Sequence, residues 1–157
     1  HAPTASADHE AQLGALMIAV IEHFTDWRNV GDSLRSAAAN SPDWRVSKAV
    51  RAIRDDPGGV DNMDYLAEVA GMSRANFFRV FEASTGVTPR VFLNMIRVEQ
   101  AVTVATGSDL SFGALSDRLG FSTQAHFTRF FRDHVGATPS NFRSVSRLGQ
   151  EIDFLRL

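Results

Sequence analysis

From Glu10 to Trp27, the residues Leu13, Leu16, Met17, Val20, Ile21, Phe24 and Trp27 recur at spacings of three and four. That spacing lays the apolar side chains along one stripe of a helix. Gly31 and Asp32 interrupt the pattern, and Ser33–Ala39 reads as a short second helix. Ser41-Pro42-Asp43 predicts the next start, with a hydroxyl cap, proline in the first turn and an acid near the positive end of the dipole. This helix runs to about Arg54 with Val46, Ala49, Val50 and Ile53 inward, and Asp55-Asp56-Pro57-Gly58-Gly59 ends it. No run of four to eight residues alternates cleanly as a strand would. The expected fold class is all-α.

Beyond Gly59 the pattern repeats itself. In the first copy Asn62 caps a helix carrying Met63, Leu66 and Ala67, Gly71 turns the chain, and Ser73 caps a helix carrying Phe77, Arg79 and Phe81. In the second copy Ser111 caps a helix carrying Phe112, Leu115 and Ser116, Gly120 turns it, and Ser122 precedes a helix carrying Phe127, Arg129 and Phe131. Gly86, Thr88-Pro89 and Phe92 close the first copy, and Gly136, Thr138-Pro139 and Phe142 close the second. The offset is 49 residues up to the serine and 50 afterwards, so the second copy carries one inserted residue. Gly86 and Gly136 fall where helix C-caps are expected, and each Thr-Pro restarts a helix. Between the copies, Pro89 to Ala105 reads as a linking helix with Phe92, Leu93, Ile96 and Ala101 on its apolar side, ended by Gly107.

Helix, glycine turn, helix is the helix-turn-helix unit, which lays its second helix in a DNA major groove. Small residues at Ala67 and Ser116 let two helices cross closely, and Gly71 and Gly120 take the positive φ that a Cβ disfavours. Helical bundles that bind nothing use the same geometry. Two copies sharing cap, turn, Phe-x-Arg-x-Phe and Gly-x-Thr-Pro weigh against that plainer reading.

Residues 43–143 resemble the DNA-binding domain of AraC/XylS-type bacterial transcription regulators. The first copy carries the resemblance in Leu66-Ala67-Glu68-Val69-Ala70-Gly71-Met72-Ser73, Phe77-Phe78-Arg79-Val80-Phe81, Gly86-Val87-Thr88-Pro89, and Arg97 with Ala101. The second carries it from Gly120 through Phe131, then in Gly136-Ala137-Thr138-Pro139 and Phe142-Arg143. The resemblance implies seven helices, with two helix-turn-helix subdomains joined by a long linker helix. It further implies that the recognition helices, about 73–83 and 122–134, enter successive major grooves of double-stranded DNA. The sequence departs from the family at Ser116, usually alanine, at Val104-Ala105, usually two leucines, and at Ala75, often a larger contact residue.

Four regions are expected: an N-terminal helical extension (1–42), a first subdomain with the linker helix (43–106), a second subdomain (107–143) and a C-terminal tail (144–157), with a short helix possible over Gln150–Leu157. In the first recognition helix Phe77, Val80 and Phe81 are expected in the core, leaving Arg74, Ala75, Asn76, Phe78 and Arg79 toward DNA. Phe78 has two readings: core packing beside Phe77, or the groove side that the family arrangement implies. In the second, Phe127, Phe130 and Phe131 are core, and Thr123, Gln124, Ala125, His126, Thr128 and Arg129 face outward. Arginine reads guanine bidentately, asparagine and glutamine read adenine, and apolar groups meet the thymine methyl. Arg79 and Arg129 could instead pair with an acid such as Glu82 or Asp133 and merely orient the helices. Asn62, Thr88, Arg90, Ser111 and Thr138 are candidate phosphate contacts, with Arg97, Arg118 and Arg132 as further positive charge.

The formal net charge of −2 at first argues against a nucleic-acid partner. Divided along the chain, residues 1–42 carry two basic and five acidic residues, 43–143 carry twelve and eleven, and 144–157 carry two of each. The acidity therefore belongs to the extension, and the near-neutral remainder implies reliance on base contacts and helix N-termini over bulk charge. Cysteine is absent, which excludes disulfides, thiolate metal sites and cysteine nucleophiles. The histidines at 1, 9, 23, 126 and 134 lack metal-ligand spacing, and there is no phosphate loop or nucleophile elbow, so neither enzyme activity nor a cofactor is expected. The apolar run Leu13–Ile21 is too short to span a bilayer and lacks a basic flank for a signal peptide. The chain begins with His1, so a fragment or a processed chain is expected; the family resemblance implies a cytoplasmic protein with an effector-binding domain upstream. Leu13–Trp27 is expected either to form a homodimer or to cap the domain's own core, and RNA polymerase is a further expected partner. The contrasting reading is a helical protein-interaction module that has lost DNA binding.

Overall fold

The structure is a computed structural model that describes residues 43–155, and Asp32 and Ser36 before them. Residues 43–155 form seven helices and no strand: α1 Trp44–Asp55, α2 Met63–Val69, α3 Arg74–Thr85, α4 Pro89–Gly107, α5 Phe112–Arg118, α6 Gln124–Val135 and α7 Pro139–Leu155. Of the two expected N-terminal helices, the first lies outside the described residues, and of the second only Ser36, which is helical, is described. Asp32 is helical where an interruption was expected.

Two of the expected boundaries move. α1 begins at Trp44, not at Pro42, because Asp43 has extended backbone (φ −91°, ψ 104°) and caps the helix itself, accepting the Arg45 amide at 3.0 Å. Arg45 also donates to both Asp43 oxygens, at 3.1 and 2.9 Å, and this holds the Asp43 carboxyl below its ordinary pKa. At the other end there is no separate tail helix: α7 continues unbroken through residues 144–155. No proline interrupts that stretch, the Ser144 and Ser146 hydroxyls turn back onto the Ser140 and Phe142 carbonyls, and Gly149 stays within the helix.

Two cores form, and α4 serves both. The first gathers Val46 and Ile53 of α1, Leu66 of α2, Phe77 and Phe81 of α3, and Phe92, Leu93 and Ile96 of α4. The second gathers Val98, Ala101, Val102 and Ala105 of α4 with Leu115, Leu119, Phe127, Phe131 and Phe142. The aromatic packing repeats with the sequence. Phe81 meets Phe77 at 5.5 Å and Phe92 at 5.7 Å between ring centroids; Phe131 meets Phe127 at 5.9 Å and Phe142 at 5.6 Å. Each fully buried phenylalanine stabilises its core by roughly 1.5–3 kcal/mol.

Helix ends follow the predicted chemistry. Asn62, Ser73, Thr88 and Ser111 each accept a backbone N–H of the helix they begin. Gly86 and Gly136 are left-handed C-caps (φ 80° and 86°), and their amides close onto Glu82 and Arg132 carbonyls. The residue inserted in the second copy lengthens the turn between α5 and α6. There Thr123 takes the capping role that Ser73 has in the first copy. Ser122 instead hydrogen-bonds the His126 Nδ1 at 2.9 Å.

Candidate nucleic-acid interface

α3 and α6 present equivalent outward faces because each is pinned from behind. Phe77 and Phe81, and Phe127 and Phe131, are fully buried, so Arg79 and Arg129, on the opposite side of each helix, must point outward. On α3, Arg74, Ala75 and Arg79 are exposed, while Asn76 and Phe78 are half-buried. On α6, Gln124, Ala125, His126 and Arg129 are exposed, with the cap Thr123, and Thr128 is half-buried. Val80 and Phe130, expected in the core, sit half-buried at its edge. Phe130 has its ring between Phe121 at 4.9 Å and His134 at 4.2 Å.

Phe78 combines its two readings. Its ring packs edge-on to Phe77 at 6.1 Å, and the Arg74 guanidinium lies 5.6 Å from its ring centroid. It thus touches the first core and remains accessible from the outer face.

The polar side chains on these faces differ in how they are held. On α3, Arg74 donates to Asp64 of α2 at 2.9 Å, and Arg79 donates to the Asn76 side-chain oxygen at 2.8 Å. On α6, Gln124 lies over Gly113 of α5, whose Cβ, if it had one, would stand 3.4 Å from the Gln124 Oε1. Arg129 is exposed and makes no hydrogen bond or ion pair among the described residues. The expected orienting pairs with Glu82 and Asp133 do not form: Arg79 selects Asn76, and Asp133 lies 3.7 Å from Arg132. At a spacing of three residues Arg79 and Asn76 are neighbours on one helix face.

Four of the five candidate phosphate contacts are engaged as caps, and the fifth, Arg90, is not. Asn62, Thr88, Ser111 and Thr138 accept backbone amides at 2.9, 3.3, 3.2 and 3.3 Å. Asn62 and Ser111 are exposed, and Thr88 and Thr138 are half-buried. Arg90, Arg118 and Arg132 are exposed cations. Arg97 is not. It is half-buried, it donates to the Pro57 carbonyl at 3.1 Å, and its guanidinium lies 5.3 Å from the Phe121 ring centroid. Burial, with Arg90 nearby, lowers its pKa from the ordinary arginine value.

Two features were not anticipated from the sequence. Arg143 of α7 donates to the Ala105 and Leu110 carbonyls at 3.2 and 2.8 Å, and lies 4.0 Å from the Phe112 ring centroid. It therefore ties α7 to the end of α4 and the start of α5. The Asp64–Arg74 pair joins the two helices of the first unit and has no counterpart in the second, where Gly113 replaces the acid. Its signal was present in the repeat, as an acid and a base at positions that are glycine and glutamine in the other copy.

Comparison with known proteins agrees with this geometry. A family model described as a helix-turn-helix domain matches residues 66–144. An uncharacterized helix-turn-helix-type transcriptional regulator of Haemophilus influenzae is 31% identical over 138 residues, covering 87% of this chain and 45% of that protein. The chain thus spans less than half the length of that relative. The DNA-binding domain of AdpA, a global transcriptional factor solved in complex with a target DNA, is 29% identical. It superposes with a TM-score of 0.59, over 68% of this chain and 93% of that one. A transcriptional regulator from Chromobacterium violaceum described as AraC-type gives a TM-score of 0.58 at 24% identity, over 65% and 91%. With the family model matching residues 66–144, half of the chain, the chain belongs to this AraC-type helix-turn-helix family.

Proposed function

We propose that this chain reads DNA in two halves, α3 and α6 lying in successive major grooves. The observation that carries this reading is the repetition of one design fifty residues apart. Phenylalanines anchor each second helix from behind, and polar or small side chains cover its free face. Gln124 and Arg129 are the principal base-reading residues, because neither is held by an acid. Arg79 reads its half-site as part of a pair with Asn76. Ala75, Phe78, Ala125 and Thr128 offer methyl and ring surface to thymine, and Arg74, Thr123 and His126 flank them. Asn62, Ser111, Thr88 and Thr138 mark helix N-termini where backbone amides approach phosphates, with Arg90 adding charge.

In the whole regulator, the segment Leu13–Trp27 mediates a homodimer in this reading, and a domain outside these 157 residues binds the effector. The regulator acts in the bacterial cytoplasm, on the nucleoid, contacts RNA polymerase and performs no catalysis itself. Selecting bound duplexes from a random pool tests the central reading. Two half-motifs about one helical turn apart are expected, with affinity falling steeply as salt rises. No binding to any duplex at low salt would instead identify a protein-interaction module. Sedimentation of the chain with and without residues 1–42 tests the dimer.

A further inference from the structure

The two cores meet on α4 at a single residue. Ile96 belongs to the first core, Val98 to the second, and Arg97 stands between them. One continuous helix is a weak way to hold two bodies in register, because it bends gently at little cost. A second contact, away from the helix axis, is needed to fix their relative rotation.

Such a contact exists between the α1–α2 loop and the turn of the second unit. A Cβ on Gly58 would fall 2.2 Å from the Arg118 carbonyl oxygen and 3.2 Å from the Gly120 nitrogen. A Cβ on Gly120 would fall 2.5 Å from the Gly58 carbonyl oxygen. The two backbones therefore touch with no side chain between them. Arg97 grips both sides of this contact: its guanidinium donates to the carbonyl of Pro57, beside Gly58, and stacks on Phe121, beside Gly120. One turn further along α4, Gln100 donates to the Arg54 carbonyl at 3.3 Å.

Two comparisons isolate the role of the contact. Gly71 is the turn glycine of the first unit, and a Cβ there would meet nothing within 4 Å. Gly71 is therefore explained by its φ of 65° alone, whereas Gly120 serves both its φ of 77° and the contact. Gly58 has no positive φ, so only the approach of the second unit accounts for glycine at that position.

We propose that the Gly58–Gly120 backbone contact, clamped by Arg97, sets the spacing and rotational phase at which α3 and α6 meet DNA. Gly58 and Arg97 are then positioning residues for operator spacing, without touching a base. This rests on the bipartite DNA reading above. Each base pair inserted between half-sites turns the second by about 35° and moves it by about 3.4 Å. A rigid pair of helices discriminates against such a change, and a loosened pair tolerates it.

The test uses the full chain with Gly58→Ala and, separately, Arg97→Gln, each verified as folded by circular dichroism. Because the chain has no cysteine, Ala83→Cys and Asp133→Cys place two spin labels on exposed, equivalent positions of α3 and α6. Pulsed electron resonance without DNA is expected to give one narrow distance in the parent, shifted or broadened in both variants. Binding is then measured on selected half-motifs with the spacer lengthened or shortened by single base pairs. The parent is expected to prefer one spacing by about tenfold or more, and the variants to flatten or move that preference while base preferences within each half-site stay the same. An unchanged label distance in both variants, or an unchanged spacing profile, overturns the proposal. A parent with a narrow label distance that binds no duplex overturns the DNA reading and leaves the interdomain clamp supported.

Discussion

Arg74 and Gln124 occupy equivalent places at the start of the two recognition helices, yet Arg74 is held by Asp64 and Gln124 lies over Gly113. The same contrast recurs one turn later, where Arg79 is bonded to Asn76 while Arg129 stands exposed without a described partner. The first unit has thus organised its cations against its own surface. The second leaves the Gln124 and Arg129 side chains exposed. A repeat that duplicates caps, glycines and phenylalanines preserves a scaffold, and substitutions between its anchors allow the two faces to diverge.

The largest test of this comparison concerns the cores. Phe81→Ala and Phe131→Ala should each cost about 3–5 kcal/mol in denaturant unfolding, because each removes a fully buried ring. Amide exchange should show the loss concentrated in the unit that carries the change. Equal loss of protection throughout the chain would mean that the two cores act as one.

Next in size is the difference between the two arginines. Arg129→Ala is expected to weaken specific DNA binding by about 1–3 kcal/mol, and Arg79→Ala by less, because Arg79 already has a partner. Titrations on the same duplex decide the order, and an equal or larger loss at Arg79 would remove the functional asymmetry. Smaller again is Ser116→Ala. Ser116 is fully buried, its hydroxyl has no hydrogen-bond partner among the described residues, and alanine occupies the equivalent Ala67. Removing that hydroxyl should raise stability by about 1 kcal/mol. An unchanged or lowered melting temperature would show that the oxygen is satisfied.

The smallest effect is expected at Asp64. Its pair with Arg74 is exposed on both sides, so Asp64→Asn should change stability by less than about 1 kcal/mol. Removing the acid frees Arg74, and affinity for duplex should rise modestly. Weaker binding would show that the pair orients α3 for DNA.

Local rules account for what could be read directly along the chain. Asn62, Ser73 and Ser111 are caps because a short side-chain oxygen reaches the next turn's amides. Gly86 and Gly136 end helices because a residue without Cβ adopts positive φ without strain. Phe77, Phe81, Phe127 and Phe131 announce the buried stripe by helical spacing alone. Where several residues satisfied one local rule, the choice failed. Asp43 and not Ser41 begins the first helix, and nothing near residue 144 separates a tail from α7.

The state of each polar side chain was hidden for a different reason. Arg79 had Glu82 and Asn76 within reach along its helix, and spacing alone does not choose between them. Arg97, counted among surface cations, takes its partners from a loop forty residues earlier and from an aromatic ring across the second unit's turn. Gly58 looks like any turn glycine until the second unit is packed against it. Caps, turns and helical stripes depend on neighbours within a few residues, so the chain itself carries them. Which arginines are free, and how the two units are phased, depend on groups brought together only when α4 joins the two cores.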